Sequence, residues 1–242
     1  MNTLNKGFNY VEEGKETYPL ATTFMSGVFL WMFLALAMSA ATAWLFASNT
    51  ELMSMLYNME TGGMSLFGWI VMLAPLGLVI WMSAGFRRMS ASTMVLVFIL
   101  FAVLLGASLS SIFLLYTSAS IAKTFLITAG MFGTMAVVGY TTKTDLTKFG
   151  SLMFMGLIGI IIASVVNMFL RSGTMDYIIS FIGVLVFTGL TAYDVQKLKR
   201  IGSQVTAGSE AARKVTIMGA LTLYLDFINL FLFLLRFFGN RK

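Results

Sequence analysis

Six stretches of this chain carry no charged residue at all: 17–50, 61–86, 89–122, 124–142, 149–170 and 177–193. A seventh, 215–235, carries only one. A helix crosses about 30 Å of hydrocarbon with roughly 20 apolar residues. Allowing for turns, seven spans are expected: 21–47, 66–84, 92–116, 121–141, 150–170, 177–195 and 215–237. The runs are too long for strands and do not alternate, which argues against a β-barrel. The fold class read from this pattern is an all-α membrane protein, a seven-transmembrane-helix bundle over 21–237. A 20-residue N-terminal tail (1–20) precedes it and a short tail (238–242) follows.

Composition supports the same class. The chain is 58% apolar and only 11% charged, against about 25% charged residues in a typical soluble domain. There is too little polar surface for a cytosolic globule and too much apolar sequence for a disordered chain. His and Cys are both absent, which removes Ser-His-Asp triads, zinc sites of the HExxH kind, thiolate nucleophiles and Cys-ligated clusters. No cofactor is expected. The net charge of +6 reads as loop asymmetry rather than as nucleic-acid binding. Pro75 lies inside the second span and is expected to kink it. Trp44, Tyr57, Trp69, Trp81, Tyr116, Tyr140 and Tyr177 fall near span ends, where amphipathic rings settle at headgroup level.

Orientation follows from the basic residues. With the N-terminus inside, eleven of them lie inside: Lys6, Lys15, Arg87, Arg88, Lys143, Lys148, Lys197, Lys199, Arg200, Arg213 and Lys214. The outside loops then hold Lys123 and Arg171. The first apolar run is too long for a cleaved signal and is read as a retained anchor. Seven crossings leave Arg236, Arg241 and Lys242 outside; either the tail is an exception to the rule, or the last segment turns back. The connection between spans 6 and 7 reads as the longest and most basic inside segment, with Gly202, Ser203, Gly208 and Ser209 as mobile points. It serves as an orientation determinant touching anionic lipid, or docks a protein partner. Spans 1–3 and 4–6 form two related halves only as a geometric alternative.

Asp226 is the charge inside the last span, the twelfth of 21 residues from Val215 to Leu235. An ionised carboxylate at such depth costs at least about 2.5–3.5 kcal/mol. It must therefore face protein or a wet cavity and be protonated, paired or ligating a cation. Asp194 ends the run 177–193, one turn before Lys197. It is either a boundary residue balanced by Lys197 and Lys199, or the partner of Asp226. Arg87 and Arg88, at the inner end of span 2, either snorkel to the surface or reach inward to an aspartate. Asn229 shares a helix face with Asp226 and offers a ligand oxygen or an interhelical hydrogen bond. Asn167 in span 5 has the same two readings.

These residues sit in two motifs. Thr191-Ala192-Tyr193-Asp194-Val195-Gln196-Lys197-Leu198-Lys199 resembles the sixth-helix signature of the transmembrane Bax-inhibitor-motif family. Leu223-Tyr224-Leu225-Asp226-Phe227-Ile228-Asn229-Leu230-Phe231, continuing to Gly239, resembles the family's last helix. The resemblance is sharp over 190–240 and covers 20–240 at the level of topology. It implies a bundle with the last helix central and the other six around it. It implies a multi-pass protein of the inner (plasma) membrane, N-terminus cytoplasmic, acting as a pH-sensitive calcium leak. Asp194 and Asp226 match the family's proton-sharing, ion-binding pair. Arg88, with Arg87 as the fallback, matches a latch to the first of those aspartates, and Tyr193 and Tyr224 lie in the same motifs as supporting residues. A glutamate found in the second helix of some bacterial members has no counterpart, since 61–86 carries no acid.

Two carboxylates held close in a poorly solvated place share a proton and titrate as a unit. Once both ionise they recruit a cation or move apart. Calcium takes six to eight oxygens, so two carboxylates make a weak site, suited to permeation rather than storage. The expected partners are calcium and the lipid bilayer. Two other classes compete. An intramembrane aspartyl protease needs Tyr-Asp on one helix, which Tyr193-Asp194 supplies, and Gly-x-Gly-Asp on the next, which Tyr224-Leu225-Asp226 does not. The chain is therefore not expected to be an enzyme. A modulator of a membrane-anchored ATP-dependent protease is the interaction alternative, with Glu12, Glu13 and Glu16 of the N-tail as its handle.

Overall fold

The computed structural model describes residues 17–58, 63–206 and 208–242. The tail residues Lys6, Glu12, Glu13, Lys15 and Glu16, and with them the proposed protease handle, lie outside the described residues, as does Glu60. The described chain is helical throughout: α1 (Thr17–Ser48), α2 (Thr50–Leu56), α3 (Leu66–Gly85), α4 (Ala91–Leu109), α5 (Ile112–Leu115), α6 (Ser118–Thr141), α7 (Thr147–Leu170), α8 (Gly173–Gly202) and α9 (Glu210–Phe238). Among the described residues, seven segments are long and apolar enough to cross a membrane: α1 from Thr22, α3, α4 with α5 to Leu115, α6, α7, α8 and α9. The expected spans agree with these to within a few residues, except at the facing ends of α8 and α9.

Helix starts are set by short polar side chains. Ser65, Ser90, Thr117, Ser172 and Ser209 each accept a hydrogen bond from a backbone N–H of the first turn of α3, α4, α6, α8 and α9. At each, a donor that hydrocarbon would leave unsatisfied is capped. Asn167 supports a helix connection. Its Oδ1 accepts from the Ser172 N–H at 3.1 Å and closes the tight α7–α8 turn, in which Arg171 takes a left-handed conformation (φ 52°). Pro75 is buried within α3, which runs unbroken from Leu66 to Gly85.

The connection between the last two spans is shorter than expected. α8 runs to Gly202 and α9 begins at Glu210, so Lys197, Lys199, Arg200, Arg213 and Lys214 are all helical. Cations in the last turn of α8 complement its dipole, and each finds an acceptor. Lys199 Nζ donates to the Tyr140 carbonyl at 2.8 Å, and Arg200 pairs with Asp145 at 3.1 Å. Gln196 also grips the α6–α7 connection, accepting from Leu146 N at 2.9 Å and donating to the Thr144 carbonyl at 2.8 Å.

Asp145 is exposed, yet its carboxyl is pushed down to about 2 by hydrogen bonds from the side chain and then the backbone of Thr147, with Arg200 adding to the effect. A folded value below the ordinary 3.8 means the stabilisation is complete above that ordinary value and fades as pH falls towards 2. Asp145 therefore stays ionised at physiological pH. Asp145→Asn is expected to loosen the α6–α7 connection in hydrogen exchange while leaving any pH response between 5 and 8 unchanged.

α9 is the central helix. Leu223, Tyr224 and Leu230 have no exposed surface, and α9 packs against α8, α1, α6 and α4. The other two spans stand further out, α3 mainly on α4 and α7 mainly on α8. The last helix is thus central as expected, but four spans rather than six form its immediate wall.

α9 is continuous over 29 residues, about 44 Å at 1.5 Å per residue. The last segment does not turn back. Its end lies with the α4–α6 junction: Lys242 N donates to the Leu115 carbonyl at 3.0 Å, and Lys242 Nζ to the Phe113 carbonyl at 2.8 Å. Arg236 pairs with Asp176 at 3.1 Å. At the other end of the bundle, Phe24 near the start of α1 lies against Gly202. Arg236 and Lys242 are thus held by local acceptors, and Arg241 lies over the Tyr116 ring, at the end opposite the start of α1.

Candidate functional site

Small residues bring α8 close to its neighbours next to Asp194. A Cβ on Gly139 of α6 would collide with the carbonyl of Ala192, and one on Gly150 of α7 with the ring of Tyr193. The resulting close approach seats the Tyr193-Asp194 segment between α6 and α7. Asp226 enters from α9 and is only 5% exposed. The two carboxyl groups meet as hydrogen-bonding partners. Oδ2 of Asp226 is fully buried, and no N–H or O–H among the described residues donates to it. A hydrogen bond between two carboxyl groups requires a proton on one of them. The arrangement is therefore complete with one shared proton, or with a cation in its place.

The pair forms the floor of a cavity of about 880 Å³ between α7, α8 and α9. Thr222, Leu225, Asp226, Asn229 and Phe233 supply the α9 side, a spacing that places them along one helical stripe. Asn229 donates through Nδ2 to the Leu225 carbonyl at 2.8 Å, which leaves its Oδ1 as an acceptor on the cavity wall. Ser151, Ser164 and Thr222 add hydroxyls. Among the described residues, no group of three or more acidic side chains is assembled.

The structure brings together some of the expected site residues and separates others. Asp194, Asp226, Asn229 and Tyr193 share the cavity. Tyr224 does not: it points to the opposite side of α9, where its hydroxyl lies 2.7 Å from Ser39 Oγ. Ser39 Oγ donates its one proton to the Ala102 carbonyl at 2.6 Å, so Tyr224 is the donor to Ser39. The three groups tie α9, α1 and α4 together. Tyr224→Phe is expected to lower stability by about 1 kcal/mol in a thermal unfolding series and to leave the acid pair's behaviour intact.

Arg88 and Arg87 do not reach Asp194. Arg88 lines a separate 310 Å³ cavity with Ser90, Glu210 and Lys214. Arg87 lines that cavity and also one of 520 Å³ that includes Lys197 and Thr222. Neither arginine forms an ion pair among the described residues. The reason is architectural: α3 packs on α4 rather than on α8, and both arginines follow its last turn. The charged group that bears on Asp194, besides Asp226, is Lys197, one turn along the same helix, with its ammonium 5.7 Å from the Tyr193 ring centre. Lys197 and Thr222 line both the 880 Å³ and the 520 Å³ cavities and stand between them.

Seven helices long and apolar enough to cross a membrane define a polytopic membrane protein, with Asp194 and Asp226 meeting inside the bundle. The family model described as "Inhibitor of apoptosis-promoting Bax1" matches residues 21–242, and the chain belongs to this family. It is 51% identical over 221 residues to the inner membrane protein YbhL of Escherichia coli (strain K12), covering 91% of this chain and 92% of the relative. An uncharacterized protein of Rickettsia prowazekii is 45% identical, covering 90% of each chain. One from Borreliella burgdorferi is 43% identical, covering 94% of this chain and 96% of its own.

Proposed function

We propose that this protein is a pH-sensitive calcium leak pathway of the inner membrane, non-enzymatic, in which Asp194 and Asp226 hold either a shared proton or the passing cation. The observation that carries this reading is the contact of two carboxyl groups from adjacent spans beneath a cavity, with one carboxylate oxygen lacking any donor. A site of this kind suits a hard, oxygen-seeking cation. Two acids with scattered hydroxyl and amide oxygens bind such a cation weakly, and an ion that is to leave again must be held weakly. The inner-membrane placement is supported by the printed name of the Escherichia coli relative and by the seven apolar helices.

Within this reading the proton and the cation exclude each other. Protonation joins α8 to α9 through a hydrogen bond. Loss of the proton leaves two negative charges that a divalent ion neutralises. Lys197 stands one turn away as the built-in counter-charge, in the place where an arginine latch was expected. The test is calcium entry into vesicles containing the full chain, followed across pH. Entry is expected to depend on pH in the native protein, and Asp194→Asn and Asp226→Asn are each expected to flatten that dependence. Unchanged entry and an unchanged pH profile in both variants would overturn the reading.

A further inference from the structure

The cavity above the acid pair is larger and more apolar than an inorganic ion needs. A calcium ion with its first shell of oxygens at 2.3–2.6 Å occupies on the order of 250 Å³, whereas the cavity holds about 880 Å³. Its α7 wall carries Phe154, Ile161 and Val165, which are 59%, 55% and 52% exposed, beside the hydroxyls of Thr147, Ser151 and Ser164. Phe187 and Phe233, stacked with ring centres 5.8 Å apart, close the side formed by α8 and α9. α7 leans on α8 and not on α9, so the groove opens sideways between them, towards the lipid. Pockets of 300–1,000 Å³ with apolar walls and a few convergent polar groups are the usual form of a small-molecule site.

We propose that the α7–α8–α9 groove binds lipophilic organic cations: an ammonium group seats against Asp194 and Asp226, and its apolar body lies along Phe154, Ile161 and Phe233. Charge decides the class. The charged side chains lining the groove are Asp194 and Lys197 of α8 and Asp226 of α9, and α7 supplies none. With both acids ionised the groove is net negative. A plain hydrocarbon tail would leave the charge of the acids uncompensated, and an anionic headgroup would meet two carboxylates. The proposal rests on the acid pair being a cation site, as the leak reading also does, but not on calcium being the cargo.

The test uses the full chain in lipid nanodiscs and tetrapentylammonium, a permanent cation with an apolar body, followed by titration calorimetry. Saturable binding is expected, at least about tenfold tighter than that of tetramethylammonium, because buried methylenes add to the charge. Asp226→Asn and Asp194→Asn are each expected to abolish it. Ile161→Trp, on the lipid-facing wall and away from the acids, is expected to weaken it several-fold. Equal uptake by empty nanodiscs, by the Asn variants or with tetramethylammonium would overturn the proposal. If the Asn variants flatten the pH dependence of calcium entry yet still bind tetrapentylammonium, the groove proposal falls and the leak reading stands. If they lose tetrapentylammonium binding but calcium entry is unchanged, the leak reading falls and the groove proposal stands.

Discussion

Replacing Asp226 by Asn is expected to remove the pH dependence of calcium entry and to raise the calcium concentration for half-maximal entry at least about tenfold. The magnitude follows from charge. A unit charge about 4 Å from another is worth about 4 kcal/mol at an effective dielectric constant of 20, and a tenfold change needs only about 1.4 kcal/mol. Asn keeps the volume and can donate a hydrogen bond to Asp194, so the variant satisfies the buried neighbour that the native side chain meets only with a proton. The bundle is therefore expected to fold, with an unfolding temperature at or above that of the native protein, since an acid at depth is itself expensive. Entry measured over a calcium series at two pH values separates loss of binding from loss of proton control.

The second large effect is expected at Gly139. A side chain there meets the backbone carbonyl and Cα of Ala192, neither of which moves without shifting α8. Gly139→Ala is expected to destabilise the protein by about 1–3 kcal/mol, as overpacking of a tight contact does. It is also expected to push Asp194, two residues beyond Ala192, away from its seat. The control lies on the same helix: a Cβ on Gly133 meets nothing within 4 Å. Gly133→Ala is expected to leave stability unchanged or slightly raised, in keeping with helix propensity. Thermal unfolding of the two variants in the same detergent checks the pair, and equal behaviour would show that the α6–α8 contact does not hold the site.

Much of this architecture is legible in the chain because the bilayer imposes it. A run such as 149–170, without one charge, has few alternatives to a crossing helix. Asp226 is legible for the same reason, as the lone charge in Val215–Leu235. The sequence also points to Asp194 through its motif, and the structure places the two in contact. What escapes is whatever depends on helix–helix geometry. The family resemblance makes Arg88 a latch to Asp194, but packing of α3 on α4 carries it to a different cavity. Tyr224 is two residues from Asp226 in the chain, and the helical turn sends it to Ser39 instead. Lys199 and Arg200 read as a loop because charge normally marks a span's end, yet Tyr140 and Asp145 give them acceptors that keep α8 helical. The open side of α9 has no sequence signal, since Leu225 and Phe233 are as apolar as the buried positions around them.

The most direct test of competition between proton and cation is the infrared band of protonated carboxyl groups, recorded on the full chain in lipid as calcium is added at acid pH. The expected result is a band that is lost as calcium displaces the shared proton, with the calcium-induced change missing from both Asp194→Asn and Asp226→Asn. A protonated-carboxyl band that calcium leaves untouched, or a calcium-induced change that survives in both variants, would contradict the account.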